Sequence, residues 1–287
     1  MTKQIVIFGH GYSAEALSSQ LLDLGWRVVG TTRSEDKAEA LRAKGVEAVV
    51  WPDTDMAPYL KSATHLVQSI APDADGDPVL NTLASKIAAN APYDWTGYLS
   101  TTGVYGDHQG GWVDEATPLT PATKRGQHRV IAEAAWRELA GTAELNLHIF
   151  RLAGIYGPGR GPFAKVRRGT ARRIIKPGQV FSRTHVEDIA QVLLASIDRP
   201  NPGAVYNVCD DEAAPPEDVL AYAAKLLGLP VPPAEDWEEA EMTPMARSFY
   251  AESKRVRNDR IKQELGVTLK YPDYRVGLSD LLARDSK

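Results

Sequence analysis

The chain of 287 residues carries 33 Lys and Arg against 37 Asp and Glu, a formal net charge of -4, with 43% hydrophobic residues. That apolar content excludes a disordered chain, the mild acidity excludes a strongly basic nucleic-acid binder, and the length fits one large α/β domain or two smaller ones. A single cysteine, Cys209, excludes an internal disulfide and a Cys-cluster metal site, and a lone thiol of this kind packs as a small core residue in a reducing compartment.

Ile5–Phe8 is an apolar run far too short for a signal-peptide core, and no other stretch approaches the roughly 18 apolar residues of a membrane span. The expectation is a cytoplasmic protein with no membrane partner. Short apolar runs at Ile5–Phe8, Arg27–Thr32, Glu47–Trp51, His65–Ile70, Gly97–Ser100 and Leu145–Phe150 read as strands. Amphipathic segments at Ser13–Leu24, Asp36–Lys44, Pro78–Ala91 and Lys124–Ala140 lie between them. In the first, Ala14, Leu17, Leu21 and Leu24 recur at helical spacing. The strands lack polar alternation, which points to a sheet covered on both faces, and strand–helix alternation gives a doubly wound parallel α/β sheet of Rossmann type.

Past residue 155, glycine and proline cluster at Gly157–Pro162 and prolines recur at 200–202, 215–216 and 230–233. Helical patterns at Glu187–Ile197, Pro216–Leu227 and Ser253–Leu265 alternate with short strands such as Val205–Val208. We read residues 1–155 as a dinucleotide-binding core and 156–287 as a smaller substrate lobe, with about 181–210 returning to the core. Charge is uneven. Leu145 to Val186 contains no acid but nine Lys and Arg, whereas Asp210 to Glu241 is rich in Asp and Glu. These stretches read either as solvated faces that attract each other or as a basic rim that draws in a small anion. No nucleic-acid-binding motif accompanies them.

Gly9-His10-Gly11-Tyr12-Ser13-Ala14 is a G-x-G-x-x-A loop set directly between the first strand and the first helix. Gly9 permits the tight turn, Gly11 lets a pyrophosphate reach the backbone, and Ala14 lets the helix pack close, with free N–H groups at the helix start. The second strand ends in Thr32-Arg33-Ser34, without the acid that usually binds the ribose hydroxyls of NAD. A planar cation flanked by hydroxyls suits a 2′-phosphate, so NADP is expected and NAD is the alternative. Asp53, after the third strand, is placed to meet an adenine, and Ser69, Ile70 and Ala71, after the fourth, to skirt a ribose.

With these features in place, the chain resembles the extended branch of the short-chain dehydrogenase/reductase superfamily, the epimerase/dehydratase-like proteins. Leu99–Gly106, Trp112–Glu115, Arg151–Gly159, Arg183–Ala190, Gly203–Val208 and Ser253–Val256 carry the resemblance in order and spacing across most of the chain. It implies that Ala153 meets the nicotinamide, that Tyr156, Arg160, Arg183 and His185 contact substrate, and that a homodimer is possible. It also implies a catalytic Ser or Thr with Tyr-x-x-x-Lys on one helix, whose fourfold spacing puts both side chains on one face. The hydroxyl falls on Thr101, but counting back from Glu133 the Tyr falls on Arg125 and the Lys on Arg129.

Arginine, with a pKa above about 12, is a poor proton donor at neutral pH, though Arg129 can hold a ribose and the pair can grip an anion. A proton donor would then come from Tyr105, His108 or His128. Arg183 has the alternative of an ion pair with Glu187. No metal-ligand spacing and no G-x-S-x-G occurs. Three readings stay open: an NADP-dependent oxidoreductase acting on a small anionic or nucleotide-linked substrate, a sugar-nucleotide epimerase or dehydratase, and a dinucleotide sensor that has lost turnover.

Overall fold

A computed structural model describes residues 3–285. The chain begins with β1 (Gln4–Phe8), α1 (Tyr12–Asp23), β2 (Arg27–Thr32), α2 (Glu35–Arg42), β3 (Glu47–Val50), α3 (Ala57–Ser62), β4 (His65–Gln68) and α4 (Pro78–Ala89). Next come β5 (Trp95–Thr101), a 3-10 turn at Thr102–Tyr105, β6 (Trp112–Val113), α5 (Lys124–Ala143) and β7 (Leu147–Leu152). Then follow β8 (Gly154–Tyr156), α6 (Phe163–Arg167), β9 (Arg173–Ile175), β10 (Arg183–His185), α7 (Val186–Asp198) and β11 (Val205–Val208). The chain closes with α8 (Pro216–Leu226), β12 (Ala234–Asp236), α9 (Pro244–Phe249), β13 (Arg255–Val256), α10 (Asp259–Gln263) and α11 (Tyr274–Asp285).

Seven strands form one sheet in the order β11-β7-β5-β4-β1-β2-β3, every neighbouring pair parallel. The chain builds outward from β1 through β2 to β3, then returns to the other side of β1 with β4. The crevice beyond the ends of β1 and β4 is therefore a topological switch point, where ligands of open α/β sheets bind.

The apolar runs follow from coverage on both faces. Ile5 and Ile7 of β1 join a cluster with Leu17 and Leu21 of α1 and Ile189, Val192 and Leu193 of α7. Val6 and Phe8 point the other way, into a cluster with Val79, Leu83 and Ile87 of α4 and Trp136 of α5. A separate apolar cluster, with Phe163, Val166, Val219, Ala223, Tyr274 and Leu278, holds the C-terminal lobe. That lobe is not a contiguous block of sequence, because α7 packs on α1, β11 extends the main sheet, and Ile261, Leu265 and Val267 enter the core beneath α7.

Two elements depart from the sequence reading. The fourth strand stops at Gln68, whose side chain turns back to accept from Ile70 N–H at 2.8 Å and donate to Asp77 at 2.6 Å. The helix expected over Ser253–Leu265 is not continuous. Arg255 and Val256 pair with Trp112 and Val113 as a strand, and the Asn258 amide donates to the Cys209 carbonyl and to Asp211. Backbone pairing thus replaces the first helical turns, and only Asp259–Gln263 is helical. Cys209 itself is fully buried, with its thiol donating to the Val256 carbonyl at 3.2 Å. No helix among the described residues is long and apolar enough to cross a membrane.

Candidate active site

The glycine loop is shaped by contacts that tolerate no side chain. Gly9 has φ +78°, and a Cβ there would lie 2.6 Å from Ile70 Cγ1, so β1 can pass into α1 only with glycine. At Gly11 a Cβ would meet nothing closer than the Gly9 carbonyl at 3.8 Å, which leaves open space over the loop. Gly11 is also the N-cap of α1 and supplies no side-chain hydrogen bond, leaving the first N–H groups of the helix for a ligand. Gly9 N–H donates to Thr31 Oγ1 at 2.8 Å and His10 N–H to the Thr31 carbonyl at 2.8 Å, which pins the loop to β2.

His10 points inward rather than toward a ligand. Its Nε2 lies 2.8 Å from Ser18 Oγ, and burial lowers its pKa to about 4. Tyr12 reaches over the loop mouth, donating to the Pro158 carbonyl at 2.9 Å, with the Arg160 guanidinium 5.6 Å from its ring. Ser13 and Ala14 are buried in the first turn, Thr32 is buried at the end of β2, and Arg33 and Ser34 are exposed beyond it. Asp53 is exposed past β3, and Ile70 is half-buried against Gly9.

Helix α5 is seated by Thr123, whose hydroxyl accepts from Gly126 N–H at 3.1 Å as its N-cap. A Cβ on Gly126 would lie 2.8 Å from the Gly103 carbonyl and 2.8 Å from Pro121 Cβ, so this glycine lets the helix touch the 3-10 turn. That contact brings Arg125 and Arg129 to the sheet end. Arg129 is anchored, donating to the Leu99 carbonyl at 2.6 Å and to Tyr98 Oη at 3.1 Å. Thr101 Oγ1 accepts from Gly103 N–H at 3.1 Å, which leaves its own proton free to be donated.

These groups open on one cavity of about 670 Å³ at the C-terminal ends of the strands. Ser13, Ser69 and Ala71 border it on the glycine-loop side, and Thr101, Arg125, Arg129 and Ala153 form its floor. Tyr156, Arg160, Arg183, Phe249, Glu252 and Lys254 close it from the C-terminal lobe. One guanidinium nitrogen of Arg183 donates to the Phe181 and Ala214 carbonyls, at 2.8 and 3.0 Å. Arg183 does not pair with Glu187, which instead binds Lys270, Arg284 and the Tyr271 hydroxyl. The two charge-biased stretches do meet in part, through Arg172 with Glu235 and the parallel pairing of β9 with β12.

Three proposed proton donors lie elsewhere. Tyr105 is fully buried, donates to Asn207 at 2.7 Å, accepts from Arg151 at 2.9 Å, and is pushed up to about 12 by burial. His108 bonds the Tyr105 carbonyl at 3.1 Å, and neither it nor His128 lines the cavity. His185 is buried behind Tyr156, with ring centroids 5.1 Å apart, and caps α7 by accepting from Glu187 N–H at 3.3 Å. His185 is not among the residues that line the cavity.

The sequence reading missed the residues beneath and opposite the floor. Glu133 and Arg151 form a buried ion pair at 2.8 Å, and Glu133 also accepts from Ser100 Oγ at 2.6 Å, tying α5, β5 and β7 together. Phe249 ends α9 and Glu252 follows it, both outside any element expected from the sequence, whereas Lys254 falls in the segment read as helix and within the landmark Ser253–Val256. No group of three or more His, Cys, Asp or Glu among the described residues could hold a metal ion.

Residues 85–209 match the model of the NAD dependent epimerase/dehydratase family. Protein YeeZ of Escherichia coli (strain K12) is 29% identical over an alignment of 287 residues, covering 94% of this chain and 97% of that protein. A solved structure described as a functionally unknown conserved protein from Silicibacter pomeroyi DSS is 63% identical, with a TM-score of 0.95 and 99% of each chain covered. UDP-N-acetylglucosamine 4-epimerase from Bacillus cereus shares the fold at 15% identity, with a TM-score of 0.79 and 100% of both chains covered. UDP-glucuronic acid 4-epimerase from Bacillus cereus, in complex with UDP-glucuronic acid and NAD, does so at 16% identity and 0.78, covering 98% of this chain and 99% of the other.

Proposed function

We propose that this chain, which belongs to the NAD-dependent epimerase/dehydratase family, binds a nicotinamide dinucleotide and acts as an oxidoreductase on a small anionic or nucleotide-linked substrate. The observation that carries this reading is the cavity itself. It joins the open end of α1 to a wall bearing Arg125, Arg129, Arg160, Arg183 and Lys254 against one acid, Glu252. A one-signed cleft of this kind concentrates an anion.

The residues present fit the dinucleotide. Gly9 and Gly11 leave room for the pyrophosphate, which the first N–H groups of α1, at Tyr12, Ser13 and Ala14, would hold. Arg33, with Thr32 and Ser34, would take a 2′-phosphate, which favours NADP over NAD. Ser69, Ile70 and Ala71 would flank a ribose, Ala153 the nicotinamide and Asp53 the adenine. When bound, such a cofactor supplies hydride exchange with a carbon of the substrate. Arg129, fixed on the Leu99 carbonyl, orients what lies above it, and the Thr101 hydroxyl can donate a hydrogen bond to a substrate oxygen. Arg125 adds charge that would stabilise a developing oxyanion, but not a proton. Tyr156, Arg160 and Arg183 would hold the anionic part of the substrate.

A second reading, a dinucleotide-binding sensor without turnover, is favoured by the count back from Glu133, which puts Arg125 where the family's chemistry uses a tyrosine. Fluorescence titration with NADPH and NADH, followed by a screen of NADPH oxidation over aldehydes, ketones and sugar nucleotides, separates the readings. NADPH binding with turnover supports the enzyme, and NADPH binding without turnover on any of them supports the sensor. Failure to bind either dinucleotide overturns both.

A further inference from the structure

The cavity's proton chemistry is narrowly held. Four of its lining residues are arginines, a side chain poorly suited to donate a proton. Burial pushes the Tyr156 hydroxyl far above its usual range, and that hydroxyl already points to the Asp273 carbonyl at 3.4 Å. Lining hydroxyls such as Thr101 can hydrogen-bond a substrate oxygen but do not ionise at ordinary pH, so Glu252 and Lys254 remain as groups that can give up and regain a proton. Lys254 Nζ donates to the Gly106 carbonyl at 2.6 Å and to Glu252 Oε2 at 2.7 Å. An ammonium has three N–H donors, and two of these are thereby assigned. The other carboxylate oxygen, Glu252 Oε1, is buried with no hydrogen-bond partner, a costly state for a group that lines a ligand cavity. Both side chains are about nine-tenths buried, so their bonds form in a partly desolvated wall.

We propose that Lys254, paired with Glu252, exchanges the proton with the carbonyl or hydroxyl oxygen of the anionic substrate, opposite the arginine that occupies the tyrosine position. The proposal rests on the oxidoreductase reading above. When a carbonyl is reduced, with hydride from a reduced nicotinamide dinucleotide, the C=O π pair becomes a lone pair on oxygen. That oxygen takes a proton from Lys254 Nζ, so one N–H bond breaks as an O–H bond forms. Solvent returns the proton to the amine by way of Glu252, whose free oxygen accepts and releases it. In the oxidative direction each transfer runs in reverse. The arginines hold the substrate's anionic group and leave its oxygen end to Lys254.

An anionic aldehyde tests this without knowledge of the substrate. Pyridoxal 5′-phosphate carries a phosphate for the arginines and an aldehyde for the amine. Lys254 Nζ, having passed a proton to Glu252, adds to the aldehyde carbon, a C–N bond forms and water leaves. Borohydride then adds hydride to the C=N bond and fixes the label for peptide mapping. We expect Lys254 to be labelled ahead of the other lysines and to be protected by inorganic pyrophosphate. In Glu252→Gln the rate of labelling at Lys254 falls roughly tenfold or more, the scale of a lost general base, while Glu252→Asp retains part of it. Lys254→Arg abolishes that label while its melting temperature and NADPH titration stay close to those of the parent. Lys254 left unlabelled in folded protein, or labelled equally fast in Glu252→Gln, overturns the proposal. Loss of dinucleotide binding by the parent protein overturns the functional reading instead.

Discussion

The Arg125 guanidinium lies 5.3 Å from the ring centroid of Phe249, so helix α5 touches the short helix α9 across the mouth of the cavity. Phe249 is 48% exposed, and a contact of this kind at a wet site is worth about 0.5–1 kcal/mol. A double-mutant cycle with Arg125→Ala and Phe249→Ala, read by urea unfolding, is expected to give a coupling energy in that range. A coupling of zero would mean that the two sides of the mouth are energetically independent.

Gly9→Ala forces a side chain into a left-handed backbone conformation and against Ile70. We expect a loss of about 1–3 kcal/mol in stability and at least a tenfold weaker NADPH affinity, since the turn that presents the α1 N–H groups must shift. Chemical denaturation and fluorescence titration check the two effects separately. Unchanged affinity in a folded Gly9→Ala protein would remove the loop from the cofactor site.

Arg33→Ala is expected to weaken NADPH by roughly 10- to 100-fold while changing NADH little, the scale of a charge-assisted hydrogen bond to phosphate. Equal losses for both dinucleotides would show that Arg33 does not read the 2′-phosphate.

Glu133→Ala leaves Arg151 charged and unpaired inside the protein, and Ser100 without its acceptor. Breaking such a buried pair costs about 3–5 kcal/mol, so urea unfolding is expected to show a large fall in midpoint. The variant Glu133→Gln, which keeps an acceptor oxygen, is expected to lose less.

Acid sensitivity follows from the histidines. Burial lowers His10, His65, His148 and His185 from 6.5 to about 4. Between those values the unfolded chain binds more protons than the folded one, so stability falls as pH drops from about 6.5 toward 4. Each site adds a slope of at most about 1.4 kcal/mol per pH unit within that window. At His185 protonation also removes the acceptor that caps α7. Urea midpoints measured from pH 7 to pH 4.5 are expected to decline steadily, and His148→Gln is expected to flatten the curve.

The parallel sheet was legible because β1, β2, β5 and β7, buried almost throughout, lack regular polar alternation and because Gly9 and Gly11 fall at a strand-to-helix boundary. The two arginines on α5 were legible because Glu133, a buried residue one turn beyond Arg129, fixes the helical register. The opposite wall was not. Ser253–Leu265 carries apolar residues at helical spacing, yet Val256 is spent on packing against Cys209, and Arg255 and Val256 on pairing with β6. Pairing between segments some 140 residues apart leaves no periodic trace in either. Tyr105 and His185 were misplaced for a related reason. A tyrosine suits proton transfer and a histidine suits a substrate contact, but local sequence does not show that Asn207 and Arg151 hold the first and that a helix start uses the second.

The hydrogen bond from Lys254 to the Gly106 carbonyl spans 148 residues. During synthesis, the strands that carry the glycine loop leave the ribosome long before the segment that supplies Glu252, Lys254 and β13. Domains fold as their parts emerge, so a nascent chain halted near residue 240 can assemble much of the sheet while its cavity lacks one wall. Formation of the glycine loop and closure of the cavity are therefore separated in time on the growing polypeptide, the second waiting for the segment that carries Glu252 and Lys254.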